Sequence, residues 1–162
     1  VTLVAVAIGS NLGDRESHVE FARTRLDALL AGARISSSRE TIPIGVEGGQ
    51  PLFLNAAVVG ESDLPARSML DALLGIEAAR GRVRPFVRAP RTLDLDLVLV
   101  GDQIIDEPGL TIPHPRFRER RFVLEPLAEI APALRDPVSG KTIAELLDAL
   151  NRSTPDRAAP RP

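Results

Sequence analysis

Two aspartates two residues apart, Asp94 and Asp96, carry the chemistry most visible in this chain. They lie in Pro90-Arg91-Thr92-Leu93-Asp94-Leu95-Asp96-Leu97-Val98-Leu99-Val100. From Leu93 onward the stretch alternates and then turns fully apolar, which predicts a buried strand. A strand has a side-chain period of two, so Asp94 and Asp96 share one face while Leu93, Leu95, Leu97 and Leu99 take the other. Neighbouring carboxylates repel, and burying them uncompensated is expensive. Something cationic must sit between them. Arginines would make the pair structural. Hard divalent cations would make it functional, because Mg²⁺ is held by a few carboxylates together with the oxygens of a bound phosphate.

The basic residues point toward phosphate. Lys141 is the single lysine, and the other cations are arginines. Arg80, Arg82, Arg84, Arg88 and Arg91 fall in one segment, and Arg116, Arg118, Arg120 and Arg121 in another. Guanidinium forks match phosphate oxygens in a bidentate way. A carboxylate pair that binds metal, set beside such a loop, is what a polyphosphate requires.

The elements that must position these groups follow from the rest of the chain. With 162 residues, one domain over 1–152 with a real core is expected, followed by a frayed tail from Ser153 to Pro162. No apolar run approaches bilayer length, no export signal is visible, and there are no cysteines, which fits a cytoplasmic protein. A net charge of -2 gives no global attraction to nucleic acid or membrane. Neither is expected as a partner, and a monomer is expected.

Val1 to Ile8 predicts a buried strand, and Gly9 to Asp14 a turn. That turn lacks the Gly-x-x-x-x-Gly-Lys-Ser/Thr phosphate-loop pattern. Asp14 is the expected N-cap of a helix over 15–31, stopped by Gly32. Arg34 to Ile42 predicts a second strand, Pro43 to Pro51 a glycine-bearing loop, and Phe53 to Gly60 a third strand. Asn55 is the only polar side chain inside that third strand. It either bonds a neighbouring loop or offers a donor and an acceptor to a flat heterocycle.

Asp63-Leu64-Pro65 predicts a helix start, with Asp63 as cap. Glu77 lies near that helix's C-terminal end, where its charge opposes the dipole and an arginine partner is expected. Arg82 to Arg91 reads as a loop, Gln103 to Asp106 as a short hairpin, and 110–117 as extended around His114. Helices over 121–130 and 142–151 complete the chain, the last opened by a Thr142-x-x-Glu145 capping box. The order is α+β. It predicts a ferredoxin-like βαββαβ core with a mostly antiparallel sheet, helices on one face, and C-terminal additions.

Four blocks resemble the 6-hydroxymethyl-7,8-dihydropterin pyrophosphokinase family. They are Ala7-Ile8-Gly9-Ser10-Asn11-Leu12-Gly13-Asp14; Phe53-Leu54-Asn55-Ala56-Ala57-Val58; Pro90-Arg91-Thr92-Leu93-Asp94-Leu95-Asp96; and Pro113-His114-Pro115-Arg116, continuing to Arg121-Phe122-Val123-Leu124-Glu125-Pro126-Leu127. The resemblance implies pyrophosphoryl transfer from ATP to a pterin hydroxymethyl group, releasing AMP. It implies two Mg²⁺ ions on Asp94 and Asp96, and phosphate handling by Arg82 and Arg91. His114 matches a histidine at the ATP site, with Arg84, Arg118 and Arg120 near the same anion and Glu77 near the nucleotide. Asn55 would read the pterin edge and Phe122 would stack on its ring. Phe53 and the Thr41-Ile42-Pro43-Ile44 backbone would complete that pocket. Many family members carry a tryptophan shortly before the Pro-Arg pair; this chain has none, and Phe86 or Arg88 is expected to cover the pterin instead.

Two other readings make different predictions. A nucleic-acid module using both arginine clusters is opposed by the acidic pI of 5.7 and by only five aromatics, all phenylalanine. A phosphotransferase of the same fold with another acceptor would be separated by testing the pterin against other alcohols.

Overall fold

The computed structural model describes residues 1–41, 52–81 and 92–153. The glycine-bearing loop, the arginine loop and the tail beyond Ser153 lie outside these residues. The elements are β1 (Thr2–Ser10), α1 (Arg15–Leu29), β2 (Ala31–Ile35), β3 (Arg39–Thr41), β4 (Phe53–Ser62), α2 (Ala66–Ala79) and β5 (Asp94–Val100). A hairpin of β6 (Ile105–Glu107) and β7 (Leu110–Ile112) follows, then a 3₁₀ turn at Phe117–Glu119, α3 (Arg121–Ile130) and α4 (Ile143–Ser153).

The main sheet has the order β2-β4-β1-β5, with β3 also pairing β4, and every pairing is antiparallel. The long apolar strands β1 and β4 form its middle, and both of their faces are covered. On one face Val4, Val6, Ile8, Ala56 and Val58 meet Val19, Ala22 and Leu26 of α1 and Met69, Leu73 and Ile76 of α2. On the other face Ala5, Ala7, Ala57 and Val59 meet Val123, Leu124 and Leu127 of α3 and Ile143 and Leu146 of α4. The two helices of the expected core, α1 and α2, thus share one face as expected, and the C-terminal additions α3 and α4 cover the other. Strands that are apolar on both sides need a layer on each side.

Several boundaries also move. β1 runs on to Ser10, because β4 offers Asn55 and Leu54 as partners for Gly9 and Ser10. Helix α1 ends at Leu29, and Gly32 is not its stop but a positive-φ residue inside β2. The expected second strand is broken into β2 and β3 at Ser36, which bonds Ala57 through both its N–H and its hydroxyl. Pro65, not Asp63, occupies the N-cap position of α2, and no side chain caps it there. Asp14 caps α1 as expected by accepting the Ser17 N–H at 3.1 Å. The capping box also forms, with Thr142 and Glu145 exchanging side-chain and backbone bonds at 2.8 and 3.1 Å.

Candidate active site

Directly opposed residues in an antiparallel pair point to the same face of the sheet. The register places Gly9 between Asn55 and Asp94, and Ala7 between Ala57 and Asp96. Asn55, Gly9 and Asp94 thus form one row on the α3 side, and Ala57, Ala7 and Asp96 the next. Phe53, two residues before Asn55, is on the same face. The small residues Gly9 and Ala7 make the floor between the polar groups. A Cβ on Gly9 would lie 3.3 Å from Asn55 Nδ2 and 3.5 Å from the Phe53 ring, so both side chains lean over the glycine toward the carboxylates.

The amide of Asn55 is oriented. Thr41 Oγ1 donates to Asn55 Oδ1, which leaves the Nδ2 hydrogens as the donors on offer. Asn55 is buried, and Phe53 and Phe122 are half-buried. The strand end is tied down by the buried Ser10, whose hydroxyl donates to the Thr92 carbonyl at 2.6 Å just ahead of β5.

Arg120 stands at the start of α3. Its Nη1 is 4.0 Å from Asp96 Oδ2, and its guanidinium lies 5.6 Å from the Phe122 ring centre. His114 is delivered by the segment after β7, whose backbone N–H bonds the Val98 carbonyl at 2.9 Å. Burial, helped by Arg120 and Arg116 and opposed by Asp94, holds the His114 imidazole down at about 4. It is therefore neutral at neutral pH. Nδ1 accepts the Arg116 N–H at 3.1 Å, so the ring proton sits on Nε2.

A groove of about 270 Å³ runs alongside β5. Leu70, Leu95, Leu97, Leu110 and Ile112 line its apolar length, and Asp96 and His114 its polar part. An apolar slot ending at the Asp96 carboxylate and a neutral imidazole, with Arg120 beside that carboxylate, is suited to a ligand with a flat base and a polyanionic tail.

No group of three or more His, Cys, Asp or Glu able to hold a metal occurs among the described residues. Asp94 and Asp96 are two hard oxygen donors, both partly exposed on one face. That set does not suit a closed protein-only cage. It does suit Mg²⁺, which takes one or two carboxylates and completes its shell with substrate phosphate and water.

The structure thus gathers Asp94, Asp96, Arg120, His114, Asn55, Phe53, Phe122 and Thr41 around one face and one edge. Arg82, Arg84, Arg91, Ile42, Pro43 and Ile44, expected to join them, lie outside the described residues. Arg118, expected beside the same anion, instead closes a fork on buried Asp136, at 2.6 and 3.0 Å. Glu77, expected at the nucleotide, is seated under β5 at 2% exposure and does not line the groove. Sequence reasoning overlooked Gly9. Its signal was a glycine following an apolar strand, legible only once it faced the lone strand asparagine.

Residues 5–132 match the model of the 7,8-dihydro-6-hydroxymethylpterin-pyrophosphokinase (HPPK) family. The 2-amino-4-hydroxy-6-hydroxymethyldihydropteridine pyrophosphokinase of Pseudomonas aeruginosa is 40% identical over 148 residues, covering 90% of each chain. Its namesake in Methylorubrum extorquens is 41% identical over 161 residues, covering 97% of this chain and 99% of that one. Among solved structures, wild-type HPPK-DHPS of Plasmodium falciparum superposes with a TM-score of 0.74 at 14% identity, covering 96% of this chain and 46% of that chain. That last likeness speaks to fold alone.

Proposed function

The chain belongs to the 7,8-dihydro-6-hydroxymethylpterin-pyrophosphokinase family, and from that premise we propose how its residues divide the work. The reaction moves the β,γ-diphosphate of ATP to the hydroxymethyl oxygen of 6-hydroxymethyl-7,8-dihydropterin, a step of folate biosynthesis. The hydroxyl oxygen attacks the β-phosphorus, the bond to the α,β-bridging oxygen breaks, and AMP leaves.

Such a transfer needs alignment and charge stabilisation more than a strong base. The groove along β5 takes the nucleotide, with its base against Leu70 and Leu110 and its phosphates toward Asp96 and His114. His114 donates from Nε2 to a phosphate oxygen, and Arg120 supplies positive charge beside Asp96. The face over Gly9 takes the pterin. Asn55 donates to its edge, and Phe53 and Phe122 hold its ring. Arg82, Arg84 and Arg91 complete the anion site from the loop before β5, and the Ile42-Pro43-Ile44 backbone the pterin pocket. Asp94 and Asp96 would hold two Mg²⁺ ions, which when bound neutralise the triphosphate and the charge developing at the β-phosphorus.

We also assign the core as ferredoxin-like, because β1-α1-β2 and β4-α2-β5 interleave in one antiparallel sheet. A monomer suffices for this reading. The single observation that carries it is the register, which sets the heterocycle reader Asn55 and the carboxylate Asp94 on either side of Gly9.

The deciding measurement is AMP release from ATP. It is expected only when both the pterin and Mg²⁺ are present. Equal AMP release without pterin, or with other alcohols in its place, would overturn the acceptor. The Gly9→Val variant probes the pocket floor. Its added methyls must displace Asn55 and Phe53, and overpacking of this kind costs about 1–3 kcal/mol. The KM for the pterin should rise about tenfold or more, with the KM for ATP changed less than about twofold. Equal loss for both substrates would mean that the sheet itself had shifted.

A further inference from the structure

Glu77 is a charged residue type in a place that disfavours it. It lies in the last part of α2, where a negative charge opposes the helix dipole, and it is only 2% exposed. A buried carboxyl group is retained at a cost unless hydrogen bonds compensate it. One of its oxygens, Oε2, accepts the backbone N–H of Leu95 at 2.6 Å. Leu95 is the residue between Asp94 and Asp96.

The location gives that bond a consequence. Among the described residues β5 is the edge of the main sheet, with β1 as its strand partner there. An edge strand held on one side can twist about its axis, and a small twist re-aims alternate side chains. Among the described residues, two backbone contacts grip the outer side of β5. Glu77 takes the Leu95 N–H, and the His114 N–H donates to the Val98 carbonyl further along. The first lies level with the carboxylate pair.

We propose that Glu77 is a positioning residue: by gripping β5 between Asp94 and Asp96, it sets the direction in which both carboxylates face the nucleotide's metal-bearing phosphates. It acts through the backbone and needs no contact with ATP. This assignment rests on the function proposed above and differs from the nucleotide-contact role that resemblance alone implied.

Two variants separate the acceptor from the charge. Glu77→Gln keeps an acceptor oxygen and the side-chain length. Glu77→Met keeps the length and removes the acceptor. Calorimetric titration with a non-hydrolysable ATP analogue, with and without Mg²⁺, gives the metal-dependent gain in affinity for each protein. The methionine variant should lose tenfold or more of that gain and have a lower kcat, with pterin affinity within twofold of the parent. The glutamine variant should stay within threefold on every measure. Amide exchange at Leu95 should quicken in the methionine variant and not in the glutamine variant.

A folded methionine variant with an undiminished metal-dependent gain would overturn the assignment. So would a glutamine variant as impaired as methionine, which would show that charge is what matters. If Glu77→Met does not fold, Glu77→Asp takes its place, since it withdraws the acceptor by one methylene. Parent protein that shows the metal-dependent gain but releases no AMP with the pterin would count against the proposed reaction and leave the role of Glu77 standing.

Discussion

Replacing Asp94 or Asp96 with asparagine is expected to lower pterin-dependent AMP formation by about 10²–10³-fold, the scale on which removal of one preorganised charge-stabilising group is felt. The side chains keep their size and remain on a partly exposed face, so circular dichroism and melting temperature should hardly move. Pterin affinity should also be little changed, because the pterin contacts proposed above, Asn55 and Phe53, stand on β4 on the other side of Gly9. Raising Mg²⁺ should restore part of the rate if the lost carboxylate acts by holding metal. Full activity in either variant would remove the pair from the chemistry. Loss of folding in both would make the pair structural, the reading in which arginines alone neutralise it.

The second large effect is on stability. Asp136 is fully buried and accepts bonds from Arg118 at 2.6 and 3.0 Å, from Ser139 Oγ at 2.7 Å and from the Val138 N–H at 3.0 Å. Burial by itself would raise the carboxyl's affinity for protons. The bonds from Arg118, Ser139 and Val138 outweigh it and hold the group at about 2. Asp136→Ala removes these bonds and strands Arg118, and should cost about 3 kcal/mol.

The linkage runs in one direction. A carboxyl held below its ordinary value of 3.8 contributes stability above that pH and loses it as pH falls through about 2. The parent should therefore lose up to about 2 kcal/mol of this contribution between roughly pH 4 and 2, whereas Asp136→Ala should show a flatter decline over that window. Arg118→Ala should overlap with Asp136→Ala in a double-mutant cycle and leave the KM for ATP within about twofold. Additive losses, or a large rise in that KM, would return Arg118 to the anion site.

Legibility in the sequence tracked how local the determinant was. Alternation placed Asp94 and Asp96 on one face, and the break in an apolar run singled out Asn55; neither inference needs a partner strand. Caps were legible for the same reason, since Asp14 and the Thr142/Glu145 pair act within one turn of their own helix. Asp63 was misread because Pro65 can begin a helix without it.

What the chain alone could not show were facts about partners distant along it. Register decided that Gly9, assigned to a turn, is the strand residue between Asn55 and Asp94. Packing decided that helices cover both faces, because the doubly apolar β1 and β4 need two layers. Tertiary contacts decided that Arg118 pairs with Asp136 and that Glu77 accepts the Leu95 N–H, partners that no spacing announces. Residue type and side-chain period are written into a few neighbouring residues. Which charge meets which depends on how segments far apart in the chain bury their surfaces together.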